Sequence, residues 1–431
     1  MLEKIFKLKA HNTSVRTELL AGLTTFLTMA YILFANPNIM AAAGMPPLAV
    51  FTATALAAAL GCFLMGFWAN FPAGLAPGMG LNAFFAFTVV GSMGYSWEQT
   101  LAAVACSGVI FFLLSAFKLR EWIIVSIPSS LRRGITVGIG LFLSIIALKN
   151  AGIIQAHPAT LLSLGDLTEP GPVLAAMGLL LIVALDARRI PGAMVLAVLI
   201  VSMIAYAMGL TEFSGLVSMP PSISELWWAM DFSRLFEVGM ISVVLAFVFV
   251  DLFDTSGTLL ATASQAGLCD DKGQFPNMGK AMMADSSATT AGAFLGVSSV
   301  TTYVESGAGI AAGGKTGLTA VTVGCLFLLA LFFSPLLSFV PAFATAPALL
   351  YVGLLMTSDM RYIEWDNLLE ATPAWITAVM MPLGFSVSHG IGLGFASHCL
   401  LMIFSGRFRD IKPAVAVVSV LYVVAIAMGV L

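Results

Sequence analysis

The feature that most constrains this chain is a recurrence of apolar stretches. Each is close to the ~20 residues an α-helix needs to cross a hydrocarbon core. They fall near 18–37, 48–68, 74–92, 99–117, 133–152, 171–186 and 191–209, and again near 237–260, 281–298, 303–312, 316–337, 341–357, 372–388, 390–405 and 413–430. Several are too short for a full crossing, so the expected count is about fourteen spans, the last three being the least defined. Of 431 residues, 59% are hydrophobic and 10% are charged, whereas a soluble domain has roughly a quarter of its residues charged. The pattern excludes an ordinary soluble domain and gives an all-α polytopic membrane protein.

Charge is confined to short loops. The net charge of −3 comes without a basic patch, which argues against nucleic acid as a partner. The amino-terminal arm (Lys4, Lys7, Lys9, Arg16), Lys118-Leu119-Arg120, Arg132-Arg133, Arg188-Arg189, Lys272 to Lys280 and Arg407-Phe408-Arg409 should face the cytoplasm, because basic loops stay inside. The loops at 153–170 and 210–233 should face outward. No cleavable signal precedes the first span, and the lack of a long tail or targeting signal points to a bacterial inner membrane. Cys62, Cys106, Cys269, Cys325 and Cys399 have neither metal nor disulfide spacing and read as packing residues.

Against this background, a few acids stand out. An apolar run from Leu245 to Val250 leads into Asp251 and Asp254, and a third carboxylate, Glu305, follows in Thr301-Thr302-Tyr303-Val304-Glu305-Ser306-Gly307. Residues at i and i+3 project from one helix face, so both aspartates can point at one spot. Charge at membrane depth is costly and marks an ion or substrate path; the plainer alternative is that these acids cap helix ends or bind nearby backbone. A weak internal repeat brackets them. Tyr31 to Asn82 spans 82 − 31 = 51 residues, as does Asp254 to Glu305 (305 − 254 = 51), and the same offset of 223 pairs Thr28 with Asp251. Each half pairs a long apolar helix with a Gly/Ser/Thr/Pro-rich broken segment, Pro72 to Asn82 and Gly296 to Gly317. With seven spans between them the halves are inverted, and matched broken segments in inverted halves point to a midplane substrate site. Chance spacing is the competing explanation.

Two motifs mislead. Gly309-Ile310-Ala311-Ala312-Gly313-Gly314-Lys315-Thr316 spells a phosphate loop, but no soluble αβ domain is present to hold a nucleotide. Gly78-Met79-Gly80-Leu81-Asn82-Ala83 mimics a dinucleotide fingerprint and should lack both the strand before it and the acid after it. In both places, glycine lets irregular backbone line a cavity. In the run Phe84-Phe85-Ala86-Phe87, packing competes with stacking on a flat ligand. Phe84 is the ring taken as a ligand contact, and Ser306 is counted beside Glu305. The histidines His11, His157, His389 and His398 read as structural.

Taken together, Arg16 to Tyr31, Ala76 to Phe87, Asp251 to Thr258 and Ser298 to Thr319 resemble the NCS2 class of nucleobase permeases, in its AzgA-like purine branch, essentially end to end. The resemblance implies a seven-plus-seven inverted repeat with short extended strands in spans 3 and 10. It places a core domain at 1–120 and 231–340 and a gate domain at 121–230 and 341–431. It also implies alternating access, a proton as coupling ion (sodium less favoured), no other cofactor, no metal and a homodimer. Its binding residues fall on Asn82, Asp251, Asp254 and Glu305, with Asp251, Asp254 and Glu305 as proton-coupling candidates. Thr258 stands where uracil-type relatives often carry a histidine, which shifts the proton burden to carboxylates. Gly80-Leu81-Asn82-Ala83 and Ser299-Val300-Thr301-Thr302 look like the hypoxanthine/guanine type rather than the adenine type. A purine edge offers N–H donors and carbonyl or ring-nitrogen acceptors, which carboxylates and an amide can match. Rival expectations are an adenine or broad-purine permease, a cation-coupled uracil or xanthine carrier on the same architecture, a channel, or an intramembrane enzyme. The last lacks any visible nucleophile–base pair.

Overall fold

The computed structural model describes residues 2–117, 127–158, 160–269 and 275–427. The basic loop at Lys118-Leu119-Arg120 and Lys272 lie outside them. Span 1 is a broken helix, Val15–Met29 and then Ile32–Ala41, with Pro37 inside the second piece; Ser14 caps its start by accepting from the Thr17 N–H. Span 2 runs Pro47–Leu64 with Pro at its first position, and continues through a π-helical turn, Met65–Ala69. Asn70 then takes a left-handed conformation (φ 50°) and turns the chain back into the protein. Span 3 begins with strand β1 (Leu75–Pro77), followed by Met79–Ala83 and the π-helical Phe84–Ser92. Span 4 (Trp97–Ala116) opens on a capping box formed by Ser96 and Gln99.

Spans 5, 6 and 7 are Ser129–Asn150, Pro170–Ala187 and Ala193–Ala207. The loop between spans 5 and 6 contains a small hairpin, β2 (Ile154–His157) against β3 (Leu161–Leu164), which hydropathy did not reveal. Span 8 is the long helix Val238–Gln265, and span 9 is Met278–Leu295. Span 10 is strand β4 (Val300–Thr302) plus a short helix, Ser306–Ala311. Span 11 is Gly317–Ala330, and spans 12, 13 and 14 are Ala342–Thr357, Leu368–Leu383 and Val387–Phe404. One more apolar helix, Pro413–Ala427, packs on spans 14 and 8.

Packing follows the repeat. Span 5 lies against span 13 as span 12 lies against span 6, and spans 6–7 pack together as spans 13–14 do. Lipid supplies no hydrophobic drive between helices, so close packing through small residues holds such bundles together. Gly317 shows how tight this is: a Cβ there would come within 2.0 Å of the Gly66 carbonyl oxygen, so span 11 meets span 2 backbone to backbone.

β1 and β4 pair antiparallel, Leu75 with Thr302, Ala76 with Thr301 and Pro77 with Val300, so partner numbers run in opposite directions and the ladder joins the broken segments of the two halves without testing the 223-residue spacing.

Candidate functional site

The site is built where both halves interrupt their helices. Extended backbone inside a bilayer survives only where its polar groups are paired within the protein. Here each strand supplies the other: Leu75 faces Thr302, Ala76 faces Thr301 and Pro77 faces Val300. The ladder continues through Gly78 N–H to the Ser299 carbonyl (2.9 Å) and Tyr303 N–H to the Gly74 carbonyl (3.0 Å). Span 2 backs β1 and span 9 backs β4, and Cys62 touches the Leu75 N–H at 3.2 Å. That cysteine thus packs and also satisfies a strand donor.

Each strand hands its chain to a short helix bearing an expected site residue. Asn82 sits in the helix after β1, fully buried, with Oδ1 accepting from the Ser298 hydroxyl and Nδ2 3.5 Å from the Pro77 carbonyl. Glu305 stands at the start of the helix after β4 and is partly exposed. Its Oε1 accepts from the Tyr31 hydroxyl at 2.9 Å, and Thr28 Oγ lies 3.3 Å from its carbonyl oxygen. Each of these residues is held by the opposite half of the chain. Ser306 is buried, and its Oγ accepts from the Gly74 N–H at 3.0 Å, so it ties the start of β1 to the Glu305 turn. Phe84 is fully buried, edge-on to Phe247 of span 8 with centroids 4.9 Å apart; in this conformation its ring is core packing between spans 3 and 8.

The two aspartates of span 8 occupy different surroundings despite their i, i+3 spacing. Asp251 is 1% exposed, its Oδ1 3.3 Å from Thr255 Oγ and its Oδ2 3.2 Å from Thr289 Oγ. Asp254 is partly exposed, carries no hydrogen bond among the described residues, and lies within electrostatic reach of Glu305, Tyr303, Asp251 and Asp285. The i, i+3 spacing keeps them electrostatic neighbours, while Thr289 of span 9 hydrogen-bonds Asp251.

Sequence reading missed Asp285 and Glu18. Asp285, on span 9, is fully buried, accepting from Thr302 of β4 (2.8 Å) and from Thr255 (3.0 Å). Thr255 therefore stands between Asp251 and Asp285. The signal was present: Asp285 is an acid in the apolar run Ala281-Met282-Met283-Ala284, and the rule applied to Asp251 would have found it. Glu18 is fully buried, and its carboxylate accepts from the N–H groups of Lys315 and Thr316 (3.0 and 3.2 Å) and from the Thr319 hydroxyl (2.6 Å). An acid at a helix amino-terminus satisfies orphan donors and complements the dipole.

Glu18 also settles the phosphate-loop mimic, because the N–H groups that would cradle a phosphate already bind its carboxylate. The dinucleotide mimic needs a correction. A three-residue strand does precede Gly78, but it pairs antiparallel with β4, not within a parallel βαβ unit. Among the described residues, no Lys or Arg pairs with Asp251, Asp254, Asp285 or Glu305.

Known proteins place this geometry. Residues 16–393 match the family described as a permease family, Xan_ur_permease. The chain is 48% identical over 426 residues to the adenine permease AdeP of Escherichia coli, covering 99% of this chain and 96% of that one. It is 43% identical over 426 residues to the guanine/hypoxanthine permease PbuO of Bacillus subtilis, covering 97% and 98% respectively. The transmembrane domain of the cyanobacterial bicarbonate transporter BicA superposes with a TM-score of 0.67 at 14% identity, over 87% of this chain and 97% of that one. That likeness shows the seven-plus-seven inverted-repeat fold and carries nothing about cargo. The chain is a multi-pass membrane permease and not an enzyme, and it belongs to the NCS2 class of nucleobase permeases, in the branch that holds these purine carriers.

Proposed function

We propose that this protein imports purine nucleobases across a bacterial inner membrane by proton symport, with its amino-terminus in the cytoplasm. Spans 1–4 and 8–11 form the moving core and spans 5–7 and 12–14 the gate. The observation that supports this most is the division among its acids. Asp254 and Glu305 are partly exposed beside the paired strands, whereas Asp251 and Asp285 are enclosed behind them with Thr255 between. The partly exposed pair suits a neutral, flat base edged with N–H donors. The enclosed pair suits a proton, the counter-charge that lets two carboxyls share a dry pocket without a cation. Asn82 adds an amide that both donates and accepts.

Hypoxanthine and guanine are the favoured cargo because Asn82, Thr301 and Thr302 hold the positions read as that type. An adenine carrier is the second reading, and the 48% identity to an adenine permease favours it. Radiolabelled hypoxanthine uptake in cells lacking their own purine carriers tests both, competed with guanine, adenine, xanthine and uracil, with and without a protonophore. Saturable, protonophore-sensitive uptake blocked by guanine and poorly by adenine is the expected result. Strong block by adenine moves the assignment to the second reading, and no uptake of any base overturns both.

A further inference from the structure

Tyr31 is absent from the set of base-contacting residues, yet it makes the one side-chain hydrogen bond that the described residues give to the Glu305 carboxylate. Its ring is fully buried, and it lies in the break of span 1, between Val15–Met29 and Ile32–Ala41. That break brings Thr28 and Tyr31 to one residue: Thr28 Oγ lies by the Glu305 carbonyl, and the Tyr31 hydroxyl donates to Oε1 at 2.9 Å. A phenol has a single proton to donate, and here it is committed to Oε1. A buried ring cannot swing away without opening the core, so the carboxylate is held in one rotation. Oε1 is then a poorer second acceptor, and Oε2 is the oxygen left for a ligand.

This asymmetry has a chemical consequence for purines. A carboxylate with both oxygens free takes two adjacent N–H donors as a bidentate pair. Guanine offers such a pair, its ring N1–H and its 2-amino group; hypoxanthine offers N1–H alone at that edge. Resting on the reading of Glu305 as a base-binding residue, we propose that Tyr31 is a specificity-determining positioning residue. By committing one lone pair of Oε1 it leaves Oε2 the stronger acceptor and weakens a bidentate grip, which favours bases with a single N–H at that edge over bases with paired donors.

The test is Tyr31→Phe, which deletes the hydroxyl and keeps the ring. Hypoxanthine uptake and its competition by unlabelled guanine are measured in cells lacking other purine carriers, with membrane abundance checked. The expected result is a shift of the guanine-to-hypoxanthine affinity ratio by roughly tenfold toward guanine, the size of one charge-assisted hydrogen bond gained by guanine alone. Thr28→Val removes a hydroxyl that reaches the Glu305 backbone (3.3 Å) and the Thr24 and Thr25 carbonyls of its own helix but not the Glu305 carboxylate, so it should leave the guanine-to-hypoxanthine ratio where it was. An unchanged ratio in Tyr31→Phe, with or without uniform weakening, overturns the proposal, as does complete loss of uptake at normal abundance. If that variant does not reach the membrane, Tyr31→Met, which also lacks the hydroxyl, reads the same ratio. Failure of the unmodified protein to carry any purine overturns the functional reading as well, so the two failures are distinguishable.

Discussion

The two acid pairs near the strands have the same chemistry and opposite settings. Asp251 and Asp285 are buried to 1% and 0% exposure and wrapped in threonine hydroxyls from spans 8, 9 and β4, whereas Asp254 and Glu305 are partly exposed and together receive, among the described residues, one side-chain hydrogen bond, from Tyr31. Three hydroxyls, those of Thr255, Thr289 and Thr302, serve the enclosed pair. Each has one proton to give, and Thr255 lies between both carboxyls while Thr289 also faces the Val300 carbonyl (2.9 Å). The enclosed pair is therefore joined directly to β4, the strand that delivers Glu305. The lesson is that position along a helix does not assign a role to an acid in a membrane; what packs over it does.

The sharpest way to break this comparison is Glu305→Gln. Removing the charge from a ligand-facing acceptor should raise the KM for hypoxanthine by roughly 10–100-fold, measured as initial uptake, with membrane abundance unchanged. A KM within twofold of the unmodified protein would remove Glu305 from the base site. Next is Asp285→Ala, which leaves the Thr302 hydroxyl without its carboxylate and Thr255 with Asp251 alone. About 1–3 kcal/mol of stability should be lost for the buried donor left unpaired, read as faster thermal inactivation in detergent. Unchanged inactivation would mean that the enclosed pair is not a joined unit.

Glu18→Ala is the structural control. It orphans the Lys315 and Thr316 N–H groups and the Thr319 hydroxyl, so a similar loss of stability is expected while the hypoxanthine KM stays near its normal value. A KM change as large as that of Glu305→Gln would contradict its assignment as a helix cap. The smallest effect expected is from Lys315→Ala. Among the described residues only its backbone N–H makes a hydrogen bond, and a change at a partly exposed side chain away from such contacts is typically worth no more than about 0.5 kcal/mol, so uptake should stay within about twofold. A larger fall would reopen the phosphate-loop motif.

The fold was largely legible because its rule is simple. Hydropathy located the spans, and the glycine- and proline-rich runs around Pro72 and Gly296 located both broken segments. Other features were set by tertiary neighbours. The hairpin at Ile154–His157 has no strong apolar alternation to announce it, with most of its residues exposed. Asn82, Asp254 and Glu305 were visible as polar residues in apolar runs. Asp285 obeyed the same rule and was passed over, and Glu18 was hidden by its closeness to a polar arm. That Asp251 and Asp254 differ in hydrogen-bond partners could not be read from spacing, because it depends on where Thr289 of span 9 sits.

The most direct test of the account separates binding from coupling. Protein reconstituted in liposomes would be given labelled hypoxanthine under an imposed inward proton gradient, and separately under equal pH with unlabelled base inside, for the unmodified protein, Asp251→Asn and Asp254→Asn. The account predicts that Asp251→Asn still exchanges base for base but no longer accumulates it under the gradient, whereas Asp254→Asn loses both because the base is no longer held. Normal gradient-driven accumulation by Asp251→Asn would contradict the placement of the proton on the enclosed pair, and normal accumulation by Asp254→Asn would contradict the placement of the base.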